Sequence, residues 1–430
     1  MRYLFAWPRW LSRGCLFYLL ALPAGLGAAP ASSAETARLE AVPRAMQRFV
    51  DDQTIAGAVT LVARHNRVLR VDAVGWADLA ARRPLRPDAL FWIASMTKPM
   101  TAVAVLMLQD EGRLSVDDPV EKHLPEFKGQ WLLAESTATR RVLVRPTRPV
   151  TLRDLLTHTS GLSDVPAPRW DVTLAELVAA YAREPLRFEP GSRWEYSNAG
   201  INTLGRVVEV VAGEPFADFL ERRLFRPLGM KDTTFWPTPA QVKRLARAYR
   251  QKAEGAGLEE TGIFFLEGGL SDRRRAPRPA GGLFSTAADV ARFYQMMLSD
   301  GVWRGRRLLS SQAVAALTRP QTGELKTGFV DGMSFGLGFA VVKEPRGVTA
   351  MLSPGTFGHG GAYGTQSWAD PRQDLICVLM IQRAGLPFEG ARVQGRVICV
   401  LMIQRAGLPN ADNSEVRRVF QQTVVDALGR

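Results

Sequence analysis

The sequence predicts an α+β fold: a sheet built from both ends of the chain, with a large, mostly helical segment between its two parts. Three observations point to it. Residues 56–74 alternate apolar with polar around an Arg64-His65-Asn66-Arg67 turn, the pattern of a β-hairpin. Residues 100–320 carry repeated helical periodicity broken by Pro/Gly loops. Residues 335–381 return to strand-like runs. At 46% hydrophobic and 23% charged, the 430-residue chain has the make-up of a globular protein that buries a large core.

Along the chain, residues 1–34 have the layout of a secretory signal peptide. Arg2, Arg9 and Arg13 supply positive charge, and Cys15 to Leu26 is an apolar run too short for a comfortable bilayer span. Ala29, Ala31 and Ala34 are candidate last residues before cleavage. An uncleaved anchor is the alternative, and Pro23 and Gly25 weaken it. Arg13 stands where a lipid-attachment signal around Cys15 would need a small or apolar residue. No later segment is long and apolar enough to cross a membrane, so a periplasmic or secreted protein is expected, without a stable membrane span after cleavage.

Residues 36–53 read as an amphipathic helix with Leu39, Val42, Met46 and Val50 on one side. The 56–74 hairpin follows, and a helix begins near Ser95. Further helices are expected over 174–181, 200–211, 215–224 and 286–298, and strands over 335–342, 364–369 and 375–381. Residues 393–403 read as an extra strand or a replacement for 375–381. A last helix is expected over 414–428, with Val416, Val419, Phe420 and Val424 in period. The stretch ICVLMIQRAGLP occurs at Ile376–Pro387 and again, letter for letter, at Ile398–Pro409. This is a tandem duplication with a 22-residue period, too short and isolated for a solenoid. Cys377 and Cys399 are therefore copies of one position; a bond between them would need both copies to form neighbouring strands in an oxidising compartment.

The formal net charge is +13, carried mainly by scattered arginines, with one cluster at Arg273-Arg274-Arg275 and Arg278. A nucleic-acid binder would show a basic stripe interleaved with aromatics. The cluster reads as a solvated basic loop, and no nucleic-acid partner is expected. A basic surface still favours anionic envelope or acidic substrates.

Ser95-Met96-Thr97-Lys98 places a hydroxyl and an amine three residues apart at the start of an apolar helical pattern (Ala102, Val103, Val105, Leu106, Leu108). Residues i and i+3 share a helix face, so the Lys98 amine can reach the Ser95 oxygen. Serine needs a neighbouring base to act as a nucleophile, and burial lowers a lysine's pKa toward that role. Tyr196-Ser197-Asn198 follows about a hundred residues downstream, and His359-Gly360-Gly361-Ala362 further on. Taken singly, Tyr196 reads equally as a core tyrosine, Asn198 as a helix cap, His359 as a packed histidine and Gly360-Gly361 as a turn. His158 belongs to a loop that reads as structural. There is no cysteine pair at metal-ligand spacing, no Gly-x-Ser-x-Gly elbow and no phosphate-binding glycine loop, so no metal or cofactor is expected.

The order and spacing of these three motifs resemble the serine β-lactamase-like family, which includes class C β-lactamases, family VIII carboxylesterases and D-aminopeptidases. Residues 155–162 (LLTHTSGL), 190–192, 227–230 and 281–287 are similar to the family as well, so the resemblance covers nearly everything beyond residue 35. It implies an antiparallel sheet flanked by helices plus a large all-helical lobe, as in class C β-lactamases and penicillin-binding proteins. The cleft would lie between the two. It also implies one catalytic unit over 35–430, an α/β lobe (35–94 and 325–430) interleaved with a helical lobe (95–324). Ser95 would then form an acyl-enzyme, with Lys98 and Tyr196 sharing general-base work. Two cations beside Tyr196 would lower its pKa. Asn198 would hold Lys98 and a substrate amide. The Ser95 and Ala362 amides would hold the oxyanion beside the helix N-terminus, and Gly360 and Gly361 would let backbone approach substrate.

His359 departs from the lysine that many β-lactamases of the family use to meet the antibiotic's carboxylate. The expectation is therefore a serine hydrolase of small esters, with β-lactams as further candidates and a small-molecule ester or amide as its partner. A class C-like β-lactamase, a D-amino-acid peptidase and a non-catalytic penicillin- or peptidoglycan-binding protein are the rivals.

Overall fold

Eight antiparallel strands form the central sheet, and its order explains why both ends of the chain are needed. A computed structural model of the protein describes residues 33–167, 169–252, 257–263, 266–385 and 411–429. The N-terminal strands are β1 (Gly57–Ala63), β2 (Val68–Asp78) and β3 (Arg83–Pro84). A small separate hairpin, β4 (Leu132–Ser136) and β5 (Arg141–Val144), belongs to the intervening segment. The C-terminal strands are β6 (Met333–Phe335), β7 (Ala340–Val342), β8 (Phe357–Gly360), β9 (Gln366–Asp370) and β10 (Leu375–Met380). The sheet runs β6-β7-β8-β9-β10-β1-β2-β3, so β10 joins the two halves of the chain by pairing with β1, Leu61 opposite Val378.

Strand β10 is buried along its whole length, and its alternation divides two cores. Ile376, Val378 and Met380 face the larger core, with Val59 and Leu61 of β1 and the buried residues of helices α3 (Thr97–Asp110) and α5 (Ala287–Leu298). Leu375, Cys377 and Leu379 face the other core, with Val42 and Met46 of α1 (Ala41–Asp51) and Val416, Phe420 and Val424 of α6 (Glu415–Leu428).

 The 3-10 turn Ala94–Met96 is α2, and the helix Asn198–Ala212, which carries the second motif, is α4.

Most elements fall where periodicity places them, with shifts of a few residues at their ends. The expected 335–342 strand is instead two strands, β6 and β7, joined by a turn in which the Gly336 N–H donates to the Phe339 carbonyl at 2.9 Å. Gly338 sits at φ +80° in that turn, a conformation that an apolar run does not reveal. The 215–224 helix is shorter than its pattern, Phe216–Leu220, and passes into a π-helical turn over Glu221–Phe225. The Arg273–Arg278 cluster is not wholly solvated: Arg275 is buried and donates to the Leu270 carbonyl at 2.9 Å and to that of Phe235. Residues 1–32, most of the expected signal peptide, lie outside the described residues, as do 386–410 with the second copy of the repeat, the expected 393–403 strand and Cys399. The first copy supplies β10, and Cys377 there is a buried free thiol whose pKa burial pushes up to about 12. Among the described residues no helix is long and apolar enough to cross a membrane.

Because β10 is the seam between the two halves of the sheet, Leu379→Ala is expected to lower the unfolding free energy by about 2–5 kcal/mol in urea titrations. A loss below about 0.5 kcal/mol would mean that this strand is not packed as described.

Candidate active site

A strained turn presents Ser95. Ala94, which has a Cβ, sits at φ +46°, in the left-handed region where a side chain costs about 1 kcal/mol or more. Its neighbours hold it there. The Ile93 N–H donates to the Leu283 carbonyl at 3.0 Å, the Thr97 hydroxyl donates to the Ala94 carbonyl at 2.6 Å, and the Leu283 N–H donates to Thr97 Oγ1 at 3.2 Å. Ala94 and Met96 are buried while Ser95 between them is half-buried, so the hydroxyl is the group left within reach.

Lys98 lies one turn on, in the first turn of α3. That helix is buried on all sides from Thr97 to Leu108, and the lysine is buried with it. Its Nζ has three close partners: Ser95 Oγ at 3.0 Å, Asn198 Oδ1 at 2.8 Å and the Ala280 carbonyl at 2.6 Å. The two carbonyl oxygens can only accept. In the neutral amine its two N–H groups go to them, and the lone pair is left facing the Ser95 hydroxyl. Burial lowers the Lys98 pKa to about 7, against a smaller opposing pull from Asp164.

Tyr196 stands over this amine, with Lys98 Nζ 4.7 Å from its ring centre. The expected lowering of its pKa is not found. Burial pushes the phenol well above its ordinary value, and the Ser95 hydroxyl is the neighbour that most opposes this. A neutral amine supplies no compensating charge, so Tyr196 is a proton donor in the resting site. Its hydroxyl is buried without a well-formed hydrogen bond among the described residues. The ring packs against His158 at 4.6 Å and Phe329 at 5.0 Å between centres, and Trp194 and Phe335 extend this aromatic wall. His158 is buried; its Nδ1 accepts from the Ser197 N–H at 3.2 Å, and burial keeps its pKa well below the usual value. It is a neutral support for the Tyr196 loop.

Asn198 is the first residue of α4, and Ser197, not Asn198, caps the helix by accepting from the Gly200 N–H at 3.1 Å. His359 and Gly360 end strand β8, Gly361 follows it, and Ala362 opens the next turn. His359 Nδ1 lies 2.7 Å from the Gly360 carbonyl, an obligate acceptor, so this nitrogen carries the proton and Nε2 is left with a lone pair. Burial, then the nearby Lys98, lower the His359 pKa to about 4, so the ring is uncharged at neutral pH. Both glycines are places of close approach. A Cβ on Gly360 would stand 1.8 Å from Asp412 Oδ1, and one on Gly361 would stand 2.0 Å from Thr365 Oγ1 and 2.6 Å from the Ile93 carbonyl. Gly361 thus lets the end of β8 close on the turn that carries Ser95.

Sequence reasoning missed two supports. Asp164 accepts from the Asn198 N–H at 3.2 Å, from the Asn198 side chain at 3.4 Å and from the Ala199 N–H, so it orients the amide that holds Lys98. An acid placed to meet the N-terminus of α4 is a possible signal, but a separation of 34 positions along the chain hides the pairing. The second support is the segment from Pro279 to Leu283. Its Pro279 carbonyl accepts from Thr101 Oγ1 at 2.8 Å, its Ala280 carbonyl from Lys98, and its Ala280 N–H donates to Asn202 Oδ1 at 3.0 Å.

The chain matches a family model described as Beta-lactamase over residues 42–400. Esterase EstB of Burkholderia gladioli is 34% identical over 374 residues, 80% of this chain and 89% of that protein. Lovastatin esterase of Penicillium rubens is 29% identical over 377 residues, 80% and 92% of the two chains. The D-alanyl-D-alanine-carboxypeptidase/endopeptidase AmpH of Escherichia coli is 26% identical over 341 residues, 76% and 80%. Among solved structures, EstCE1, a hydrolase with promiscuous acyltransferase activity, superposes with a TM-score of 0.71 at 26% identity, covering 92% of this chain and 99% of the other.

Asp164 is a positioning residue whose carboxylate raises the Lys98 pKa. Asp164→Asn removes that charge, so the acidic limb of a pH–rate profile governed by neutral Lys98 is expected to move to lower pH. A merely structural role would lower the rate and leave the limb in place.

Proposed function

The chain belongs to the beta-lactamase family, and we propose that it is a serine hydrolase that opens small uncharged esters through an acyl-enzyme on Ser95. One observation carries this reading: two of the three partners of Lys98 Nζ can only accept, so the neutral amine aims its lone pair at Ser95 Oγ. Lys98 takes the Ser95 proton as Oγ attacks the ester carbonyl. The oxyanion is received by the Ser95 and Ala362 N–H groups, at the N-terminal end of α3. As the tetrahedral adduct collapses, the Tyr196 phenol gives its proton to the leaving alkoxide and recovers one from Lys98. Water then attacks the acyl group with Lys98 again as base, and Ser95 is regenerated.

An ester is favoured over a β-lactam because His359 is uncharged and presents no cation to a substrate carboxylate. The aromatic wall of Trp194, Tyr196 and Phe329 likewise suits an apolar acyl or alcohol group. Two of the relatives, from Burkholderia gladioli and Penicillium rubens, are named as esterases. Export through the N-terminal leader is part of the same proposal.

The test compares a short-chain p-nitrophenyl ester with a chromogenic cephalosporin, for the wild type and Ser95→Ala. Ester turnover is expected to exceed cephalosporin turnover and to fall about 1,000-fold or more in the variant. The wild-type kcat/KM for the ester is expected to rise with pH through about 7, as Lys98 loses its proton. Faster cephalosporin cleavage would establish a β-lactamase instead, and stoichiometric labelling by penicillin without ester turnover a binding protein.

A further inference from the structure

We propose that the β4–β5 hairpin docks the protein on the surface of an anionic lipid bilayer. Seven large hydrophobic side chains are exposed among the described residues, and three of them belong to this one hairpin and its flank: Trp131 at 44%, Leu143 at 42% and Val144 at 39%. Residues 128–148 carry five basic side chains (Lys128, Arg140, Arg141, Arg145, Arg148) and one acidic one, Glu135. Arg140, Arg141 and Arg145 are exposed.

Arg145 lies over the Trp131 ring at 3.6 Å, so a cation and an indole occupy one patch. Leu133 pairs with Leu143 across the hairpin, which places their side chains on one face of it. The patch is held rigidly: the Leu186 N–H donates to the Trp131 carbonyl at 2.7 Å and the Leu133 N–H to the Leu186 carbonyl at 2.9 Å.

Tryptophan with aliphatic side chains, ringed by arginine, suits the headgroup boundary of a bilayer: the indole and leucine enter it and the guanidinium groups meet anionic lipid. A second copy of the chain fits less well, because two arginine-rich hairpins would repel each other. Nucleic acid fits less well, because Leu143 and Val144 offer no face for base stacking.

The test uses the full chain and vesicles of phosphatidylcholine, alone or mixed with phosphatidylglycerol, with a brominated lipid as quencher of tryptophan emission. Quenching is expected with the mixed vesicles, reduced in Trp131→Phe by the contribution of that indole. The Arg140→Glu/Arg141→Glu variant is expected to lose about tenfold or more in preference for the mixed vesicles. Hydrolysis of the soluble ester serves as the folding control, since none of these residues touches the site. Equal quenching in Trp131→Phe and wild type would overturn the proposal, because contact would then be made elsewhere. So would an unchanged lipid preference in the arginine variant, or a change of oligomeric state as its only effect.

Discussion

The burial of Lys98 is the constraint on which the site depends. An ammonium group buried in the first turn of a packed helix would be costly, and the protein meets that cost by letting the group shed its proton. Once neutral, the amine has two hydrogens for two carbonyl oxygens and one lone pair for the serine. Each support follows from this requirement. Asp164 orients the Asn198 amide, Asn202 fixes the Ala280 segment, and Thr97 holds the Ala94 carbonyl and Leu283 together.

The same burial sets the character of the neighbouring groups. A neutral Lys98 leaves Tyr196 and His359 buried, and burial lets the phenol keep its proton while the imidazole does not gain one. The site therefore holds a base, an acid and an uncharged acceptor. That set suits transfer of a proton between two alcohol oxygens better than recognition of a carboxylate. The sheet contributes through glycine: only a residue without a Cβ at 361 lets β8 end against the Ile93 carbonyl.

Much of this was legible in the sequence, for reasons that differ by element. Alternation in 56–74 and periodicity in 414–428 report burial of one face, a local property, and both elements are found. The Ser95–Lys98 spacing is likewise local, because one helical turn brings the two together. Asn198 was legible as a partner of Lys98 through the family resemblance. Its true orienting group, Asp164, was not, since the pairing depends on how the chain folds back and not on any spacing. The Tyr196 pKa is raised and not lowered as two neighbouring cations would make it, because the burial of the phenol dominates and a motif does not reveal burial. The turn inside 335–342 escaped because Gly336 and Gly338 were read within an apolar run and not as its interruption.

The most direct measurement is the titration of Lys98 itself, by NMR of protein carrying isotope at the lysine amine or its adjacent carbon, with the resonance assigned through Lys98→Ala. The account predicts one lysine, absent from the variant, that changes protonation near pH 7. If every lysine stays protonated to about pH 10, the ordinary range for an exposed amine, the lone pair that activates Ser95 does not exist and the account is wrong.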